Sequence, residues 1–157
     1  MDIATYYCND PTAPKPNCPT HIGANVLLQC RGRLLLERRT DCGQWGLVGG
    51  RLKNGERPAA GIARELREET GIVLPEFAFA QVRVCDDARI AAYRDGTVWR
   101  MVIVLFSAEL ENAPPLQCSR ESTELRFFSP DELDLQQVVI THRDLVAAWI
   151  EQNRPAR

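Results

Sequence analysis

The chain has 157 residues, 45% hydrophobic and 25% charged, which suits one compact domain with its own core. Its 19 Lys and Arg against 21 Asp and Glu leave a net charge of -2 and a pI near 5.7, so no basic field invites a nucleic-acid polymer. No apolar run approaches the roughly 18 residues of a bilayer span, and residues 1 to 12 are too polar and acidic for a secretory signal.

Residues 1 to 20 read as an N-terminal arm, 21 to 153 as a single domain and 154 to 157 as a tail. In the arm, Cys8 and Cys18 flank the proline-rich NDPTAPKPN and His21 follows. Two thiols and an imidazole without a C-x2–4-C pair fall short of a four-ligand zinc site. The six cysteines, at 8, 18, 30, 42, 85 and 118, have no C-x-x-C spacing and read as thiols of a cytoplasmic protein.

Strands are expected at 22 to 29 and, after a turn at Gly32, at 33 to 37. A short segment at 45 to 48 leads to paired glycines, Gly49 and Gly50. The next stretch reads as a helix over 58 to 70: Pro58 suits the first turn and Gly71 a left-handed stop. Strands are expected at 77 to 85 and 97 to 110, with Arg94-Asp95-Gly96 as the turn before the second. A last strand at 125 to 128 closes the sheet. Pro130 starts a short acidic turn, and Thr141 is the expected cap of a final helix running through Trp149 and Ile150.

The residues from 50 to 72 carry the chemistry. They fit G-x5-E-x7-R-E-U-x-E-E-x-G-U, with U aliphatic, through Gly50, Glu56, Arg64, Glu65, Leu66, Glu68, Glu69, Gly71 and Ile72. On a helix Glu65, Glu68 and Glu69 share one side, while Ala59, Ile62, Ala63 and Leu66 form an apolar stripe on another. An E-x-x-E-E run alone reads as a solvated face. Here a glycine-rich loop precedes it, and three carboxylates repel by about 0.2–0.5 kcal/mol per pair unless a cation lies between them. Oxygen-only ligands select a hard cation, Mg²⁺ first and Mn²⁺ second.

This pattern closely resembles the signature of the Nudix (MutT-like) hydrolases, which cut diphosphate bonds in nucleotide-like substrates with a divalent metal. The resemblance implies an αβα sandwich with a mixed central sheet between helices. It also implies Glu65, Glu68 and Glu69 as metal ligands, and an Arg64–Glu56 ion pair that fixes the loop on the helix and orients Glu65. A further glutamate usually comes from the loop before the last core strand; Glu121 matches it better than Glu124, as distal base or metal ligand. Whether Glu65 or Glu121 takes the water's proton stays open. The family often has W-x-L-P-G-G before the helix, and this chain has Val48 in place of the proline, which loosens the loop slightly.

Outside the motif, Arg38 and Arg39 are candidates to meet phosphates, Gly49 and Gly50 to approach them closely, and Tyr93 and Trp99 to stack on a base. The alternatives are surface charges and core aromatics. His142 reads as surface or structural. The expected function is hydrolysis of a nucleoside diphosphate linked to another moiety, with nucleoside triphosphates slightly favoured. ADP-ribose or a nucleotide sugar is the alternative substrate, and a non-catalytic sensing module the alternative class. No membrane partner is expected; a homodimer is possible.

Overall fold

In the computed structural model, which describes residues 3 to 156, strand β2 (His21–Cys30) is buried without interruption from Ala24 to Leu28. A run buried on successive residues means that both faces of the sheet are covered there. The same holds for β3 (Arg33–Arg39), buried from Leu34 to Glu37. The other strands are β1 (Ala4–Cys8), β4 (Trp45–Arg51), β5 (Ala80–Tyr93), β6 (Val98–Leu110) and β7 (Ser122–Phe128), and the helices are α1 (Pro58–Thr70) and α2 (Ile140–Asn153).

The seven strands form one sheet in the order β1-β5-β6-β2-β4-β3-β7. The central β2–β6 pair is parallel and the other pairs antiparallel, so the sheet is mixed. Ala24, Val26, Leu28, Leu35 and Val48 pack under Ile62 and Leu66 of α1 on one face. Leu27, Leu34, Leu36 and Leu47 pack under Leu145, Val146, Trp149 and Ile150 of α2 on the other. Strand residues thus alternate between two cores. The architecture is the expected αβα sandwich.

Helix α2 is pinned by a charge inside the fold. Arg89 of β5, fully buried, donates through both terminal nitrogens to Asp144 at 2.8 Å, through Nε to Asp87 at 2.8 Å, and also to the Thr141 carbonyl. A buried arginine needs such saturation. The β5–β6 register slips between Cys85 and Arg89 to admit it. The first turn of α2 is thereby fixed over the sheet.

Three expectations change. The strand placed at 77 to 85 starts at Ala80, because Pro75 leads into a 3-10 turn at Glu76–Ala78, and it continues through Asp86 and Asp87 to Tyr93. Thr141 does not cap α2; the helix begins one residue earlier behind an extended Val139, and the Thr141 hydroxyl has no partner. Part of the arm is a strand, since β1 pairs with β5 from Ala4↔Tyr93 to Cys8↔Arg89. Among the described residues no helix is long and apolar enough to cross a membrane.

Candidate active site

The acidic helix is held by its loop. Extended Arg57 and then Pro58 start α1, and Gly71 at φ 79 ends it, its N–H donating to the Arg67 carbonyl. Before it, Gly49 takes φ 151, where a Cβ would stand 2.0 Å from the Ala24 carbonyl oxygen. Only glycine fits that close approach to β2. Gly50 follows, with the Glu65 carboxylate packed against it.

Arg64 organises the charges. It donates to both oxygens of Glu56, at 2.7 and 2.8 Å, to Glu65 Oε1 at 2.9 Å and to Glu68 Oε2 at 3.0 Å. Glu56 Oε1 also accepts the Lys53 N–H at 3.0 Å. The bidentate Arg64 bond holds Glu56 down at a pKa of about 2. Loop and helix are tied together at this arginine.

Glu69 is buried and accepts from the Ser119 hydroxyl at 2.6 Å, while Ser119 Oγ accepts the Glu121 N–H at 3.1 Å. The loop before β7 is thus brought to α1. Burial first, then the charges of Glu121 and Glu65, push Glu69 up to about 7. Burial also raises Glu65, against the pull of Arg64. Glu68 stays exposed on the same helix, its side chain 48% accessible.

Sequence reasoning missed a sixth carboxylate. Glu37 on β3 is 2% exposed, its Oε2 has no partner, and its nearest cation, Arg39 Nη1, is 3.9 Å away. Burial, with Glu69 and Glu121 adding, pushes it up to about 8. The signal was present in the run Leu34-Leu35-Leu36-Glu37, a charge continuing a doubly buried strand. The described residues contain no set of three or more His, Cys, Asp or Glu side chains already gathered as a metal site. The donor set nevertheless fits a hard cation: it is all oxygen, mutually repelling, and includes an orphaned buried carboxylate oxygen.

Two recesses that share part of their wall open beside Glu121. The outer, about 470 Å³, is lined by Asp41, Asp95 and Thr97, and the inner, about 270 Å³, by Asn25, Thr141 and His142; Arg39, Tyr93, Trp99 and Glu121 border both. Gly49 and Gly50 line the inner one. Arg39 is not a free phosphate arm: it grips Asp41 through two nitrogens at 2.8 and 3.0 Å and donates to Tyr6 Oη at 2.8 Å. The Tyr6 hydroxyl in turn donates to Asp41 at 2.5 Å. Arg38, one residue earlier, points to the other side of the strand, is exposed, donates to the Gly43 carbonyl, and lines neither recess.

Tyr93 and Trp99 stand at the recess with ring centroids 5.9 Å apart. The Arg51 guanidinium lies over Trp99 at 5.2 Å, and the His21 ring packs against Trp99 in a T-shaped pair with centroids 3.4 Å apart. One Trp99 face is therefore already covered. His142 is buried rather than on the surface, and its Nδ1 accepts the Leu47 N–H at 3.0 Å. Tyr6 and Asn25 carried no sequence signal and Thr141 only that of a helix cap, because strand pairing and helix docking over long separations bring them here.

A family model described as the NUDIX domain matches residues 19–149. The chain is 36% identical over 110 residues to a MutT-like protein of Streptomyces ambofaciens, a match covering 70% of this chain and 64% of that one. It therefore spans just under two thirds of that relative. It is 28% identical over 133 residues to the nucleoside triphosphatase NudI of Salmonella heidelberg, covering 83% and 92%. Among solved structures, the bifunctional NMN adenylyltransferase/ADP ribose pyrophosphatase of Francisella tularensis, complexed with AMP and a manganese ion, shares the fold at TM-score 0.66 and 20% identity. That match covers 90% of this chain and 44% of that one.

Proposed function

Since this chain belongs to the Nudix family, we propose that it is a divalent-cation-dependent hydrolase that breaks the diphosphate bond of a nucleoside diphosphate joined to a further group. Nucleoside triphosphates are the favoured substrates. The observation that carries this reading is the crowding of Glu65 and Glu69 with Glu121, which borders both recesses, burial and mutual repulsion raising Glu69 to about 7. Groups shifted in this way beside a cavity mark functional sites. The relative named as a nucleoside triphosphatase, matched over most of its length, supports the choice of substrate.

Glu65, Glu68 and Glu69 would hold the cation, Mg²⁺ in the first place and Mn²⁺ in the second. When bound, it supplies neutralisation of phosphoryl oxygens and a lowered pKa for water. The chain's own residues position and deprotonate. Arg64 fixes the loop on α1 and aims Glu65. Glu121, which borders both chambers, takes the proton of the attacking water, because the Oε1 of Glu65 is already engaged by Arg64. Arg39, held rigid by Asp41 and Tyr6, gives the wall a fixed positive group. Tyr93 and Trp99 hold the nucleoside end.

ADP-ribose or a nucleotide sugar is the second reading, favoured by Asp41, Asp95 and Thr97 in the outer chamber, whose oxygens suit the hydroxyls of a second sugar. A sensing module is disfavoured because every carboxylate of the motif is kept. Phosphorus NMR of a nucleoside triphosphate reaction tests the bond assignment. Monophosphate plus pyrophosphate is expected; diphosphate plus orthophosphate would refute it.

A further inference from the structure

The inner chamber carries hydrogen-bonding groups that neither the phosphate chemistry nor the fold uses. Trp99 Nε1 and Thr141 Oγ1 are buried without a partner, and both residues line the chamber. His142 lines it too. Its Nδ1 is the acceptor for the Leu47 N–H, and burial keeps the ring neutral, its pKa pushed down to about 3. The single ring proton therefore resides on Nε2, which can only donate. Trp99 Nε1 also only donates. Asn25, 5% exposed, gives its Nδ2 to the Leu47 carbonyl at 3.1 Å, so the acceptor it brings to the wall is Oδ1.

We infer that this chamber reads a lactam edge, the –NH–C=O unit of uracil, thymine, hypoxanthine or guanine, and discriminates against the amino edge of adenine and cytosine. The inference rests on the nucleotide reading of the site given above. A carbonyl oxygen has two lone pairs for the two fixed donors, and the neighbouring ring N–H can go to Asn25 Oδ1 or the Thr141 hydroxyl. An amino edge offers one ring nitrogen to those donors and brings two more N–H groups into a chamber already rich in them. Arg39 and Arg51, on the same wall, add donors and no acceptor, and the Glu121 carboxylate is taken up by the reaction in the reading above. The Tyr6 hydroxyl proton is committed to Asp41. A buried donor left unpaired penalises the wrong base more than a pairing rewards the right one.

Two matched pairs test this on the full chain with Mg²⁺: ITP against ATP and UTP against CTP, each differing at the one carbonyl or amino group. We expect kcat/KM to favour the oxo member by about tenfold or more, since sites built around hydrogen bonds reject analogues that cannot form them. The better of the two pairs separates purine from pyrimidine. Trp99→Phe keeps the ring and removes the donor, so the oxo-to-amino ratio should fall toward one through KM; Thr141→Val serves if that variant does not fold. Calorimetric binding of IMP, AMP, UMP and CMP runs in parallel. Turnover without an oxo preference overturns the inference and leaves the hydrolase reading intact. Oxo-selective binding without turnover of any triphosphate upholds the inference and overturns the triphosphate reading of the hydrolase. Neither binding nor turnover overturns both.

Discussion

The Glu65 carboxylate lies so close to the backbone of Gly50 that a Cβ on Gly50 would stand 2.8 Å from its Cδ. The glycine that opens the motif and the glutamate fifteen positions later are thus one device: the missing side chain is the seat of the carboxylate. Gly50→Ala must displace Glu65, and a misplacement of about 1 Å can cost about a hundredfold in rate. We expect kcat to fall by about that factor with Tm near wild type, because the far end of a side chain moves rather than backbone. Wild-type kcat in the alanine variant would show that Glu65 is not held by this contact.

Arg64 couples stability to acid. Glu56 has a depressed folded pKa, so its contribution is fully present above its unfolded value of 4.5 and is lost as pH falls toward about 2. Arg64→Ala should flatten that part of the Tm-against-pH curve. Arg64→Lys should not restore it, since an ammonium cannot make the bidentate contact. A steep acid limb surviving in Arg64→Ala would place the titrating group elsewhere.

Glu37 has the opposite sign. Its folded pKa is raised from 4.5 to about 8, so the folded chain holds a proton that the unfolded chain has released, and stability drains away as pH rises from about 4.5 through 8. Glu37→Gln keeps the shape and removes the titration. In metal-free buffer its Tm should match wild type near pH 5 and exceed it near pH 9. A lower Tm at both would mean that the carboxylate is needed as an anion for folding.

His142→Ala removes the acceptor of a buried backbone N–H, that of Leu47. Leaving such a donor unpaired costs about 1–3 kcal/mol, which urea denaturation should register as a lower midpoint at unchanged slope. An unchanged midpoint would indicate that water replaces the imidazole.

Helix α1 was legible to the residue because Pro58 and Gly71 punctuate it and Ile62 and Leu66 face the sheet. Apolar runs such as Leu34 to Leu36 marked strands, while the mixed sheet was expected only from the family resemblance. The second half of β5 was not legible: Asp86, Asp87 and Arg89 look like a loop, and the distant Asp144 joins Asp87 in making a buried arginine possible there. Thr141 read as a cap because its type suits one, but Arg89 and the extended Val139 set the helix start instead. The acids of α1 were visible in their spacing. The chamber walls were visible only in part: Tyr93 and Trp99 were candidates by type, but Tyr6 and Asn25 join them through strand order, which local pattern does not encode.

The most direct test of the whole account is phosphate release, after coupled phosphatase treatment, from nucleoside triphosphates, ADP-ribose and nucleotide sugars with Mg²⁺, Mn²⁺ or EDTA, for wild type and Glu68→Gln. Glu68 is exposed and makes one bond to Arg64, so the variant should stay folded. The account predicts turnover of a nucleoside triphosphate that EDTA abolishes and Glu68→Gln strongly reduces at nearly unchanged Tm. Turnover indifferent to EDTA, or undiminished in Glu68→Gln, would contradict it.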